Sequence, residues 1–139
     1  MTKRLPPAKD WQARNIDDWN TTTFHAYLSD KHAEMFGCDY VPFRGWTAEK
    51  GMIGNLIGTR TKPRTASNED VKRFIDETFA EYRPSAQYPG TSFGFMFTYR
   101  KNVWQRIQLD AKLEAKRKEQ AQAKAEKQAV DFEKLADWL

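Results

Sequence analysis

The sequence predicts an α+β fold, in which a compact, mainly helical domain with a short β-hairpin or strand precedes a long polar C-terminal helix. Apolar residues recur at helical spacing in three stretches between residues 19 and 83. Aromatic residues alternate with other residues from Phe93 to Tyr99, which is the period of a strand. From residue 110 to 129 nearly every position is Lys, Glu, Gln, Arg or Ala, a composition typical of a helix without a buried face.

Length and charge limit the function classes. A chain of 139 residues suffices for one domain with an appendage. Its net charge of +4 favours a polyanionic partner only weakly. The single cysteine, Cys38, excludes an internal disulfide framework and fits a reducing compartment. Without a signal segment or a membrane-spanning run, we expect a cytoplasmic protein with no membrane contact.

The first helix is predicted from Thr21 to Phe36. Asn20 has the side chain of an N-cap, and Gly37 follows as the C-cap. Residues 1–18, which precede it, are basic and contain prolines. We expect them to form a flexible arm unless Trp11 docks.

Two more helices follow. One opens near Thr47 and ends at Gly58, and the glycines inside it, Gly51 and Gly54, either permit close packing or break the helix. The other begins after Ser67, whose hydroxyl suits an N-cap. It ends before Pro84.

The stretch from residue 93 to 108 is read as a strand and its continuation. Its four rings, Phe93, Phe95, Phe97 and Tyr99, would share one strand face and either enter the core or stack on bases. Residues 103–108 are either a return strand or the start of a helix, and we favour the helix. An earlier segment, residues 38–43, contains Pro42 and is at best an edge strand.

Two groups of cations are the candidate nucleic-acid contacts. The first lies on a loop from residue 58 to 66 that Pro63 keeps from forming a helix, and the second follows the aromatic stretch. Such side chains bind phosphates. The predicted contact residues are Arg60, Lys62, Arg64, Arg100, Lys101 and Arg106, with Lys116, Arg117 and Lys118 extending the basic track.

The C-terminal segment, residues 130–139, is acidic and amphipathic. The apolar residues predicted to bind a partner are Phe132, Leu135, Trp138 and Leu139. The segment either docks on a partner protein or folds back onto the domain. The polar helix before it is a candidate surface for homo-oligomerisation.

Catalytic and metal-binding signatures are lacking. The sequence has no Walker loop, GxGxxG motif or nucleophile elbow. The candidate ligands His25, His32, Cys38 and Asp39 lack CxxC or HxxxH spacing. We therefore expect no enzyme activity, no cofactor and no metal.

Two resemblances bear on function. Phe93-Gly94-Phe95-Met96 resembles the middle of the RNP1 signature of RNA-recognition motifs, whose rings stack on bases. The element order over residues 20–108 resembles a winged-helix domain with its wing at residues 93–108. With its charged helix and apolar tail, the chain is similar to the small DNA-binding accessory proteins of bacteriophages, which implies DNA binding in a bacterial host cytoplasm.

The sequence thus predicts four parts: a basic arm (1–18), a winged-helix-like domain (19–108), a charged protruding helix (109–129) and an acidic tail (130–139). The predicted function is that of a non-catalytic nucleic-acid-binding accessory protein in replication or transcription, which recruits a protein through its tail. The alternative is an adaptor or inhibitor of a host or replisome protein that binds no nucleic acid. The first reading depends on the two cation groups sharing one face.

Overall fold

The protein is helical throughout the part that its structure describes. This computed structural model describes residues 5–137, and the side chains of residues 5–135. Within that range it has five α-helices, a short 3-10 helix and no strand. The elements in chain order are the 3-10 helix Ile16–Asp18, α1 (Thr21–Phe36), α2 (Trp46–Ile57), α3 (Asn68–Glu81), α4 (Phe93–Tyr99) and α5 (Lys101–Asp137).

The predicted α+β class is wrong, because the aromatic stretch forms helix α4 instead of a strand. Ser92 caps this helix, and its Oγ accepts a hydrogen bond from the backbone N–H of Phe95 at 3.3 Å. Residues 103–108 continue as helix α5, as we favoured. A wing is therefore missing from residues 93–108, and the winged-helix interpretation is incorrect. Residues 38–43, which the sequence allowed at best as an edge strand, form no strand.

The aromatic alternation has a helical explanation. Residues four apart lie on the same side of a helix, so a row with period two divides into two i, i+4 pairs. Phe93 stacks on Phe97 with centroids 5.6 Å apart, and Phe95 lies 4.8 Å from Tyr99. Phe93 is buried, whereas Tyr99 is exposed. The four rings therefore do not share one face.

The chain divides into two compact units, residues 1–104 and 105–139. In the first unit α1, α2 and α3 pack on one another, α4 packs on α2, and the 3-10 helix packs on α3. Burial of large apolar side chains is the main stabilising term of such a core. The fully buried members include Phe24, Leu28, Ile53, Phe74, Ile75, Phe79 and Phe93.

Helix α1 has the bounds and caps that the sequence predicts. Asn20 and Thr23 form a reciprocal capping box, with Thr23 N–H donating to Asn20 Oδ1 at 3.0 Å. Gly37 ends the helix in the left-handed conformation, with φ of 70°. The confirmed caps fix where α1 starts and stops.

The segment before α1 is held by Trp11. The indole Nε1 donates to Asp30 Oδ2 at 2.7 Å, and the ring lies 4.8 Å from that of Tyr27. Trp11 also meets the buried Trp19 edge to face. Trp11 therefore docks on the domain, which is the condition under which the sequence predicts an ordered arm.

The second unit consists of the remaining part of α5. From residue 112 to 135 the side chains of this helix are exposed. Lys118, part of the predicted basic track, lies 3.8 Å from Glu114 one turn earlier. Neither this helix nor any other in the described residues is long and apolar enough to cross a membrane.

The two glycines inside α2 differ in their surroundings. The helix is unbroken at both. A Cβ added at Gly54 would lie 2.9 Å from the Thr59 methyl group, whereas a Cβ at Gly51 would meet nothing within 4 Å. Gly54 therefore permits close packing, and Gly51 has no packing role.

Substitution of each glycine by alanine should have opposite effects. Gly51→Ala should raise the free energy of unfolding by about 0.5–1 kcal/mol, because alanine loses less backbone entropy in a helix. Gly54→Ala should lower it by about 1 kcal/mol, because the methyl group overpacks against Thr59. Urea denaturation followed by circular dichroism measures both. Equal effects of the two substitutions would contradict this packing.

Candidate functional site

The first group of predicted cations lies on an ordered loop between α2 and α3. Thr59 N–H donates to the carbonyl of Lys62 at 2.9 Å, and Thr59 Oγ1 accepts the N–H of Lys62 at 3.2 Å. At the end of the loop, Thr65 N–H donates to the carbonyl of Leu56 at 2.9 Å. We call Arg60, Lys62 and Arg64 the loop cations. All three are exposed.

Two of the loop cations, Lys62 and Arg64, interact with neutral groups. Lys62 Nζ donates to Asn55 Oδ1 at 2.7 Å. Arg64 Nη1 donates to the carbonyl of Ala66 at 3.1 Å and to Asn68 Oδ1 at 2.8 Å. Among the side chains of residues 5–135, no carboxylate pairs with a loop cation. Their full positive charge is therefore available to a ligand.

Two cations of the second group lie at the junction of α4 and α5. Arg100 is the C-cap of α4, and Lys101 is the first residue of α5. The Lys101 ammonium lies 5.9 Å from the centre of the Phe97 ring, which is cation–π range. Arg106, the third, is exposed and belongs to the second unit. That Arg100 and Lys101 share one face with the loop cations stays a prediction.

The acidic tail is described as far as its last helical turn. Phe132 and Leu135 are exposed on α5, with 74% and 67% of their surface accessible. Trp138 and Leu139 lie outside the described residues. Phe132 and Leu135 are therefore available to a partner.

A buried carboxylate connects three segments of the first unit. Glu49, on α2, is fully buried. Its Oε2 accepts the N–H of Phe43 at 2.7 Å and that of Gly94 at 3.3 Å, and its Oε1 accepts the Tyr40 hydroxyl. The Tyr40 oxygen in turn accepts the N–H of Phe93 at 2.9 Å. Helix α2, residues 40–43 and the first turn of α4 are thus hydrogen-bonded through one side chain.

Tyr40 and His25 both lie next to the Glu49 carboxylate. Burial, and then the neighbouring Glu49 carboxylate, raise the pKa of the Tyr40 hydroxyl well above its ordinary value. His25 Nε2 lies 3.4 Å from Glu49 Oε1, which is ion-pair distance without hydrogen-bond geometry. The Tyr40 hydroxyl therefore stays protonated and donates to Glu49.

A groove of about 940 Å³ lies beside this cluster. Residues 38–44 and 82–92 supply most of its lining, together with Phe95 from α4. Its aromatic lining consists of Phe43, Tyr82, Tyr88 and Phe95, and its charged lining consists of Asp39, Arg44 and Arg83. We call this cavity the aromatic groove.

His32 fixes the two sides of the aromatic groove. Its Nδ1 lies 3.0 Å from the Cys38 carbonyl, which can only accept, so Nδ1 carries the proton. Its Nε2 accepts the N–H of Thr91 at 3.2 Å. The buried ring thus connects residue 38 to residue 91, and both of its nitrogens are used.

The turn at Arg44 is strained. Among the described residues, Arg44 is the one non-glycine residue with positive φ, at 58°. Gly45 N–H donates to the carbonyl of Pro42 at 3.2 Å, so Arg44 is the third residue of a tight turn, where glycine is usual. Its guanidinium lies 5.1 Å from the centre of the Phe43 ring.

A smaller cavity, of about 460 Å³, has His25, Ser29 and Trp46 in its lining. Trp46 meets the His25 ring edge to face at 4.9 Å. Within the residues that the structure describes, no three or more His, Cys, Asp or Glu side chains are grouped as a metal site.

Comparison with protein-family models, with curated proteins and with solved structures finds no match to this chain. The resemblance to phage DNA-binding accessory proteins therefore stays a prediction.

Sequence reasoning missed Glu49 and the aromatic groove. Glu49 had a signal, because it stands four and seven residues before Ile53 and Leu56, in line with the apolar stripe of α2. A charged residue in such a stripe is buried only when it is paired. The groove had no such signal, since its lining residues are far apart in the sequence.

Replacement of Glu49 should destabilise the protein strongly. Glu49→Ala leaves the N–H groups of Phe43 and Gly94 and the hydroxyl of Tyr40 buried without a partner. We expect a loss of more than about 3 kcal/mol in the free energy of unfolding. Thermal and urea denaturation measure this loss.

Glu34, an exposed glutamate on α1, is the matched control. Glu34→Ala should change the free energy of unfolding by no more than about 0.5 kcal/mol. If Glu49→Ala changed the free energy of unfolding as little as this control, the hydrogen bonds of Glu49 would not stabilise the fold.

Proposed function

We propose that this protein binds nucleic acid through its loop cations and catalyses no reaction. The observation that carries the proposal is the arrangement of Arg60, Lys62 and Arg64. Three positive side chains lie on one ordered loop, and none of them pairs with a carboxylate of the described residues. Such a loop is suited to successive backbone phosphates.

Two cations on helix α3 provide a contrast. On α3, Lys72 pairs with Asp76 at 2.9 Å, and Arg73 pairs with Glu77 at 3.1 Å. Carboxylates that stay beside these cations repel phosphate. Helix α3 is therefore a poor phosphate-binding surface, although it carries two basic residues.

Removal of two loop cations should weaken binding and its salt dependence. In Arg60→Gln/Lys62→Gln two phosphate contacts are lost, so the affinity for a DNA duplex should fall. The slope of log affinity against log salt should decrease in magnitude by about two. Mobility-shift titrations over a range of salt concentrations measure both quantities.

The matched control is Lys72→Gln/Arg73→Gln, which removes the same two residue types and the same charge. It should leave the salt slope unchanged, because those side chains already have carboxylate partners. Equal effects of the two double variants would indicate binding by net charge alone. Absence of binding at low salt would refute the proposal.

A second candidate function is capture of a protein partner by the tail. The observation that favours it is the exposure of Phe132 and Leu135 on α5. Apolar side chains at i and i+3 on a helix are a usual anchor for a partner groove. An adaptor of this kind would need no loop cations.

Removal of residues 130–139 separates the two functions. The truncated chain should bind DNA as tightly as the full chain, or slightly more tightly, because three acidic residues and one lysine are removed. The measurement is the same mobility-shift titration. A loss of DNA binding on truncation would place the nucleic-acid contact in the tail and contradict the assignment to the loop.

A further inference from the structure

The aromatic groove has the features of a site for unstacked bases. Its volume of about 940 Å³ is near the upper end of the range usual for small-molecule sites. Tyr88 is 64% exposed although it lines the groove, and Phe95 is exposed in part. Exposed rings on the lining of a cavity offer flat faces on which nucleobases stack.

Hydrogen bonds to the main chain of Tyr88 hold the turn that carries it, and the Tyr88 ring takes no part in them. Ser85 Oγ accepts the N–H of Tyr88 at 3.0 Å, and the Tyr88 carbonyl accepts both the N–H of Ser85 and the hydroxyl of Tyr82. These bonds fix the turn through main-chain atoms. The Tyr88 side chain is therefore not needed to form the turn that presents it.

The charges of the groove favour an anionic occupant. Arg44 and Arg83 line it, and no carboxylate of the described residues pairs with either. Asp39 is the one acidic side chain of the lining. Two cations next to aromatic rings match a ligand that alternates phosphates with flat bases.

Arg44 adds an observation of a different kind. Its positive φ costs about 1–2 kcal/mol, which a glycine would avoid. Backbone strain of this kind is typical of ligand sites. The strain positions the guanidinium near the Phe43 ring, at the lining of the groove.

We infer that the aromatic groove binds single-stranded nucleic acid, with bases on Tyr88 and Phe95 and phosphates on Arg44 and Arg83. This inference rests on the proposed nucleic-acid binding and names its preferred substrate. A duplex keeps its base faces stacked, so it can reach the loop cations but cannot fill the groove. The protein therefore prefers single strands to duplexes.

The test compares two single strands of equal phosphate content, one with bases and one without, and a duplex. Fluorescence anisotropy is measured with a labelled oligothymidylate, with an abasic oligonucleotide of the same length and with a duplex. The wild-type chain should bind oligothymidylate about tenfold more tightly than the abasic strand, because stacking is lost with the bases. Tyr88→Ala should remove most of this preference.

Three further variants make the result specific. Phe132→Ala changes an aromatic residue of similar exposure that does not line the groove, and should keep the preference. Arg44→Gly should weaken oligothymidylate binding without lowering the melting temperature, since it relieves strain. Arg60→Gln/Lys62→Gln should weaken binding of both single strands equally and leave the preference intact.

The outcomes distinguish this inference from the proposed function. Equal affinity for thymidylate and abasic strands overturns the groove assignment and leaves the loop proposal standing. A preference that survives Tyr88→Ala also overturns it. Displacement of oligothymidylate by a polyglutamate peptide at equal or lower concentration would make the groove an acidic-peptide site instead. No binding of any oligonucleotide refutes both proposals.

Discussion

The Glu49 carboxylate is the interaction on which the first unit depends. A buried charge is tolerated only where hydrogen bonds replace its hydration, and here the donors come from residues 40–43 and from the start of α4. Gly94 makes this approach possible, because a Cβ at that position would lie 2.6 Å from Phe43. Phe43, which donates to Glu49, also lines the aromatic groove. The hydrogen bonds of Glu49 therefore support both the core and the groove.

The error in fold class arises from a pattern that two structures satisfy. Four aromatic residues at alternate positions fit one face of a strand, but they fit two i, i+4 pairs of a helix equally well. The local signal that decides between them is Ser92, whose side chain caps the helix. Tertiary packing adds the rest, since Phe93 meets Phe74 of α3 edge to face at 5.7 Å.

Local signals predicted what local interactions determine. The caps of α1, the cap of α3 at Ser67 and the non-helical loop around Pro63 follow from adjacent residues, and the structure confirms them. The exposed position of the loop cations on that loop follows for the same reason, while their role stays a prediction. The aromatic groove joins residues 38–44 to residues 82–95, and nothing in either segment alone indicates the other. The two segments are joined by His32, which the sequence analysis considered only as a metal ligand.

Arg64 has a consequence for how binding at the loop would be transmitted. Its partner Asn68 donates through Nδ2 to the carbonyls of Ile16 and Trp19, at 2.8 and 2.9 Å. A phosphate that draws the guanidinium away frees one oxygen of that amide while its nitrogen stays engaged. Asn68 thus connects the loop to the 3-10 helix that precedes α1. Phosphate binding at the loop would therefore change the surroundings of the backbone at residues 16–19.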